Sequence, residues 1–348
     1  MNELVTMIIP AYQEEKKIGR CLKSIAASTY RNLELIVVND GSTDSTQKVV
    51  EQFKEKYKPG DIELELINVT NGGSGRARNC GMQKARGKYI GFVDGDDMIH
   101  PQMIERLVLS LRKGNDMASC GLLFCKESGK AGRYHCRLRR QAVSCPEKAL
   151  SCAMWGQIQM SLGPALFRRE KIIDKNGKLL VSCPEDTVAF EDFAFICRYL
   201  NQCNGIWERL PFYGYQYCKH EKSLTSKRWS PQELSHALEP VLAIGEGMGD
   251  PGFISHKLQY AFRFLALWYE EAFRQGKWDS FKKWPGREIC EKELEKYADI
   301  YMDAPDMPWC RKLVMRIVRE YPKAGWYLAK AMGGLECLRR MIEWERLM

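Results

Sequence analysis

The spacing of apolar positions changes character twice along the chain. Over residues 4–125, short apolar runs alternate with stretches of helical period. "LVTMIIP" is a compact apolar run stopped by a proline, the pattern of a buried strand. "EEKKIGRCLKSIAAS" puts Ile18, Leu22, Ile25 and Ala26 on one helical face. "LELIVVND" reads as a second strand, "GSTDSTQKVVEQFKEKY" as a helix opened by turn and capping residues, and the alternating "IELELIN" as a third strand. "SGRARNCGMQKA" is predicted helical as far as Gly87, "KYIGFVD" is a fourth strand, "HPQMIERLVLSLRK" a helix with proline near its start, and "DMASCGLLFC" another strand. Strands that alternate with helices predict an α/β fold with a mostly parallel sheet covered by helices on both faces. Right-handed crossovers then bring the strand C-termini, and the loops after them, to one edge, where open α/β sheets bind ligands.

Residues 126–228 are less regular. "CKESGKAGRYHCRLRRQ" is strongly basic, "FRREKIIDKNGKLL" carries the tight-turn pair Asn176–Gly177, "AFEDFAFICRYL" has helical spacing with an acidic start, and "GIWERLPFYGYQYCKHEKSLTS" reads as extended and aromatic. From about 229 the pattern becomes helical, with "ELSHALEPVLAIGEGM", "ISHKLQYAFRFLALWYEEAFRQ" and "WCRKLVMRIVRE" punctuated by "GDPG" and "APDMP". Two regions are expected. Residues 1–228 form one domain with halves 1–125 and 126–228, and residues 229–348 form a helical C-terminal region.

Composition narrows the class. At 348 residues, with 45% apolar and 11% aromatic residues, the chain can build a large core, and disorder is not expected. A formal charge of +9 mixes 53 basic with 44 acidic residues, which does not by itself indicate nucleic acid. The opening "MNELVTMIIPAYQ" breaks its apolar run at Pro10 and has no basic leading region, so no secretory leader is expected. No stretch reaches the ~18 apolar residues of a membrane helix. The fourteen cysteines therefore read as reduced thiols of a cytoplasmic protein, and no second Cys/His pair stands at zinc-site spacing from Cys120 and Cys125. Residues 310–348 hold nine Lys or Arg against four Glu, together with Trp326, Tyr327 and Trp344, and directly follow Trp309. Such a segment suits either peripheral contact with the anionic inner face of the cell membrane or an ordinary solvated helical cap.

The chemistry sits on the predicted loop edge. Asp40 ends "LIVVND", Asp94, Asp96 and Asp97 end "YIGFVDGDD", and Tyr12 and Glu14 follow the first strand in "IIPAYQEE". Three carboxylates within four positions repel unless something offsets them. A hard divalent cation, Mg2+ or Mn2+, shared between one or two carboxylates and substrate phosphates is the natural occupant. The competing role for the cluster is an Asp-rich turn that caps the helix after Pro101.

Four segments, "MIIPAYQEEKKIGRCLKSI", "LELIVVNDGSTDST", "ARNCGMQKARGKYIGFVDGDD" and "FEDFAF", together resemble a family 2 glycosyltransferase of the GT-A fold over about residues 4–220. The resemblance implies a nucleotide-diphosphate sugar donor, a divalent metal, and transfer with inversion at the anomeric carbon. Carried over by position, Pro10, Ala11, Tyr12 and Glu14 would line base and ribose. Asp40 would accept from uracil N3–H, which points to a UDP-sugar. Asp94 and Asp96, with Gly95 between them, fill the family's Asp-x-Asp motif, one on ribose and one on the metal, with Asp97 nearby. Arg78 would face the crevice and Arg76 the helix surface. Inversion needs a general base on the side of the sugar opposite the leaving group. By the match that base is Asp192, with Glu191 as a supporting or acceptor-binding carboxylate. Consecutive helix positions point about 100° apart, so one of the two faces the donor. Lys219, His220 and Lys222 follow the aromatic strand, and His220 is a candidate further metal ligand. The Gln-x-x-Arg-Trp segment of processive synthases is lacking. The acceptor implied is a glycan or lipid-linked glycan of the cell envelope.

Three competing readings are weaker. A sugar-nucleotide nucleotidyltransferase would carry a glycine-rich basic loop after the first strand. A dinucleotide oxidoreductase needs a Gly-x-Gly-x-x-Gly spacing that "NGGSGRARNCG" does not provide. A non-catalytic binder would use the basic 126–140 stretch.

Overall fold

A computed structural model describes residues 3–56, 62–126, 131–134, 141–143, 161–185, 191–203 and 206–219, together with Arg316. The chain divides into two compact units, Met1–Ala153 with Gln159–Arg228, and Met154–Ile158 with Trp229–Met348. All described residues but Arg316 lie in the first. The helical patterns after 229 and His220 fall outside the described residues.

The first half forms as its periodicity dictates. Strands β1 (Val5–Ala11) and β2 (Leu33–Asp40) are buried at every position, as β-branched central strands should be. Strand β3 (Glu63–Val69) alternates because it is the sheet edge, with Glu63 and Glu65 outward. β4 (Tyr89–Phe92) completes a parallel set with β2–β1 and β1–β4 pairing in register. Helices α1 (Ile18–Ala26), α2 (Thr46–Lys56), α3 (Gly73–Lys84) and α4 (Met103–Leu111) fall where the spacing predicts, and α1 buries Ile18, Cys21, Leu22 and Ile25.

The second half adds antiparallel strands to the parallel set, so the sheet is mixed. β5 (Met98–Ile99), β6 (Met117–Lys126), β7 (Ala131–Tyr134), β8 (Gln141–Val143), β9 (Ala165–Arg168) and β10 (Trp207–Lys219) extend it in the order β3-β2-β1-β4-β9-β6-β10-β5, with β7 on β6 and β8 on β10. β9 runs antiparallel to both neighbours and separates β6 from β4. Its four residues, "ALFR", are too few to show a period against the basic residues that follow. β10 is a single strand with register shifts against β6 between Arg209 and Tyr213, a stretch that contains Pro211 with its missing N–H, and between Tyr213 and Tyr215. The Asn176–Gly177 turn is present, with Gly177 at φ 83°.

Helix α5 (Glu191–Asn201) docks on the sheet through an aromatic cluster. Ring centroids of Phe92 and Phe195 lie 5.7 Å apart, those of Phe167 and Phe195 5.5 Å, and those of Phe167 and Tyr199 4.9 Å. Edge-to-face packing of this kind fixes the helix in position as well as burying area. Eight cysteines among the described residues are free thiols, seven of them buried. No helix among the described residues is long and apolar enough to cross a membrane.

Candidate active site

The parallel strands deliver their C-termini to one edge. There β1 ends at Ala11 and β2 at Asp40, and β4 runs into Asp94. β1 lies between β2 and β4, so Asp40 and Asp94 stand about two strand spacings apart, roughly 10 Å.

The loop after β1 is held rigidly against the loop after β2. Gln13, at φ 57°, donates its N–H to Ser42 Oγ at 3.0 Å and its side-chain amide to Thr43 Oγ1 at 2.8 Å. Glu14 N–H donates to Thr46 Oγ1, Glu15 N–H donates to Asp44 Oδ2, and Ser45 N–H donates to Glu15 Oε2. A non-glycine residue at positive φ survives only where its surroundings over-determine it, and these bonds do so. Tyr12 is left 51% exposed at the tip, whereas Pro10 and Ala11 are buried in β1. Glu14 turns to Lys17, 3.0 Å away.

Asp40 is buried and accepts from the backbone N–H of Gly72 and Gly73, each at 2.8 Å. It therefore stabilises the positive N-terminus of α3. A carboxylate has about four acceptor sites, so two remain.

Arg78 is the hub of the site. It projects from α3, is 3% exposed, and meets three carboxylates from two separate elements. Nη2 donates to Asp94 Oδ1 at 2.8 Å, Nη1 donates to Glu191 Oε1 at 2.8 Å, and Nη1 lies 3.0 Å from Asp192 Oδ1. A planar fork with several donors suits this bridging in a way that a lysine could not. The turn after β4 is thereby joined to the start of α5.

The two acids of α5 are driven apart. Burial pushes Asp192 up to about 7; Arg78 opposes the rise, and Glu191 and Asp94 add to it. Asp192 Oδ2 accepts from Leu162 N–H at 3.2 Å, and Oδ1 is buried without a hydrogen bond. Burial also works to raise Glu191, but Arg78 and the Ser74 hydroxyl outweigh it and hold that carboxyl below its ordinary range. Carboxylates pushed in opposite directions by their surroundings are the mark of an acid–base site.

The acidic turn divides its residues. Asp94 and Asp96 are part-exposed at the edge. Gly95 is packed against β1, its N–H on Pro10 O at 3.3 Å, and Arg20 Nη2 holds Asp96 O at 2.9 Å. Asp97 is fully buried, with Oδ2 accepting from Tyr215 O–H and Oδ1 from Cys218 N–H, each at 2.7 Å. Both oxygens of Asp97 are engaged by β10, so Asp94 and Asp96 are the acids of the turn left part-exposed at the edge. Among the described residues no group of three or more His, Cys, Asp or Glu is spaced to hold a metal alone. The oxygen donors of Asp94 and Asp96 do fit a cation that takes its remaining ligands from a diphosphate and water.

Ser74, Leu162 and Tyr215 are site residues that the sequence does not announce. Arg76 lies along the helix surface against Gly72.

Comparison with known proteins agrees with this geometry. The family model for glycosyl transferase family 2 matches residues 6–175. An uncharacterized glycosyltransferase of Escherichia coli, YibD, is 31% identical over 200 residues, 55% of this chain and 56% of that protein. Another from Bacillus subtilis, EpsJ, is 37% identical over 135 residues, 38% of each chain. The chain thus spans about half or less of the length of these relatives. Among solved structures, S. aureus TarS 1–349 in complex with UDP-GlcNAc superposes with a TM-score of 0.72 at 18% identity, covering 95% of this chain and 91% of that one. The Pyrobaculum calidifontis mannosyltransferase PcManGT in complex with GDP-Man and Mn2+ superposes with a TM-score of 0.53 at 18% identity, covering 95% and 87%. Fold and family match agree: residues 6–175 match the glycosyl transferase family 2 model, on a GT-A fold.

Proposed function

We propose that the chain transfers a sugar from a UDP-sugar to a hydroxyl of a glycan or lipid-linked acceptor, with inversion at the anomeric carbon. The observation that carries this reading is the Arg78 clamp. It sets the start of α5 against the Asp94 turn and leaves Asp192 with a carboxyl tuned to about 7.

Each group has a role. Tyr12 offers an exposed ring to the base, and Asp40 keeps acceptor capacity for uracil N3–H. Asp94 and Asp96 would hold Mn2+ or Mg2+, which when bound stabilises negative charge on the leaving diphosphate. Asp192 takes the proton of the acceptor hydroxyl as that oxygen attacks the sugar from the side away from the diphosphate. Glu191, held ionised by Arg78 and Ser74, keeps the guanidinium in place. A base near neutrality is ionised at working pH yet still basic enough to take a proton. TarS in complex with UDP-GlcNAc and PcManGT in complex with GDP-Man and Mn2+ support a nucleotide-sugar and metal by analogy. The halves 1–125 and 126–228 would serve donor and acceptor. Residues 229–348 would give peripheral contact with the cytoplasmic membrane face, a part tested by sedimentation with anionic liposomes.

A panel of nucleotide-sugars with and without Mn2+, read by release of nucleoside diphosphate, tests the activity. Proton NMR of the product tests inversion, since an α-linked donor should give a β-linked product. With the preferred donor, kcat/KM should fall roughly tenfold for each pH unit below about 7, as Asp192 becomes protonated. A flat profile from pH 5 to 8 would exclude Asp192 as the base. Consumption of a nucleoside triphosphate instead would identify a nucleotidyltransferase.

A further inference from the structure

Asp97 is a carboxylate with no exposed surface, one residue from a cleft it does not face. Burying such a group is unfavourable unless both oxygens are satisfied. Here both are, by donors 118 and 121 residues further along the chain, Tyr215 O–H and Cys218 N–H. The same Tyr215 oxygen accepts the N–H of Asp94 at 3.2 Å. Tyr215 thus holds the turn at its first and last acid. Beyond it β5 pairs antiparallel with β10, Ile99 opposite Tyr215, and His100 N–H donates to Gly214 O at 2.7 Å. The ring is itself seated tightly, since a Cβ on Gly163 would lie 2.4 Å from it. The part-exposed pair Asp94 and Asp96 therefore belongs to a turn pinned from beneath by β10.

We propose that Asp97 and Tyr215 are a positioning pair that fixes the Asp94–Asp96 turn in the arrangement a cation–diphosphate needs. This rests on the reading of that turn as the donor site. An apolar residue at 97 could pack there but could accept neither bond. Loss of the phenol would free the Asp94 amide and one Asp97 oxygen together, and the turn would sample other geometries. Partners that orient ligands in this way change metal affinity by about 10–100-fold when removed.

Tyr199 provides the control. It is another buried tyrosine whose hydroxyl makes two bonds, to Asp116 O at 2.6 Å and from Arg168 N–H at 3.0 Å, at the opposite end of the sheet. The experiment compares the full chain with Tyr215→Phe, Asp97→Asn and Tyr199→Phe. Amide hydrogen exchange over peptides covering 93–99 is measured without ligand. Mn2+ affinity in the presence of UDP is then followed by the EPR signal of free Mn2+. The expected result is faster exchange at 93–99 and Mn2+–UDP affinity weaker by roughly tenfold for Tyr215→Phe and Asp97→Asn. Tyr199→Phe should show neither, even where its melting temperature falls as far. Unchanged exchange at 93–99 in both cleft variants, or equal weakening in the control, would overturn the proposal. Wild-type protein that binds no Mn2+–UDP, while Tyr215→Phe still loosens 93–99, would overturn the reading of the donor site and leave the positioning of the turn standing.

Discussion

Replacing Arg78 with Met should reduce turnover by at least ~10²-fold and lower stability at pH 8 by about 3–5 kcal/mol. The guanidinium is the only described cation within ion-pair distance of Asp94, Glu191 and Asp192 together. Its removal leaves three acids facing one another in a mostly buried space. Breaking a buried pair from one side is far more damaging than replacing the whole group, because the partners remain charged and desolvated. The base should also become harder to ionise, since Arg78 is what opposes the burial of Asp192. The acidic limb of the pH–rate profile then moves to higher pH. Arg78→Lys keeps one positive charge but cannot reach all three acids, so it should recover stability more than turnover. Urea denaturation and steady-state kinetics on the same preparations check both. Equal recovery of the two by lysine would show that the charge matters and the fork does not.

Asp192→Asn should remove turnover and stabilise the fold. As a positioned base, Asp192 should contribute about 10²–10⁴-fold to kcat, with little change in donor KM. The stability effect follows from the sign of the shift. The folded carboxyl titrates near 7 and the unfolded one near its ordinary 3.8, so the native state binds the extra proton between those values. Ionising Asp192 therefore subtracts stability progressively from about pH 4 to about pH 7, and the loss is constant above. A neutral amide carries no such penalty. The variant should equal wild type near pH 4 and exceed it by about 1–3 kcal/mol at pH 8. Glu191→Gln should behave oppositely. Its carboxyl is held below the ordinary range, so its contribution is present at pH 8 and lost as the pH falls through its folded value. Chemical denaturation at pH 4 and pH 8 separates the two acids without any substrate.

How legible the site was depended on sequence distance. Asp40, Asp94 and Asp96 end apolar runs, and a parallel arrangement brings such ends to one edge whatever the rest of the chain does. The helix that presents Asp192 was equally plain, because acids at the start of a 3.6-residue period are a local signal. Asp97 looked like its neighbours because nothing within the turn distinguishes it. Its partner Tyr215 lies in a stretch that reads only as extended and aromatic. Arg78 could be placed near the crevice, yet its joining of α5 to the acidic turn spans 113 residues and depends on how α5 docks. The antiparallel β9 escaped because four residues carry no period. Asp40 ends β2, but its bonds to Gly72 and Gly73 depend on where α3 begins in space.

A crystal structure of the full chain with UDP and Mn2+ bound tests the central claim most directly. The account predicts uracil between Tyr12 and Asp40, the cation joining the diphosphate to Asp94 or Asp96, Asp97 still on Tyr215, and the Asp192 carboxylate within hydrogen-bond reach of the acceptor site beyond the diphosphate. Nucleotide bound away from the ends of β1, β2 and β4, or a cation held without either Asp94 or Asp96, would contradict it.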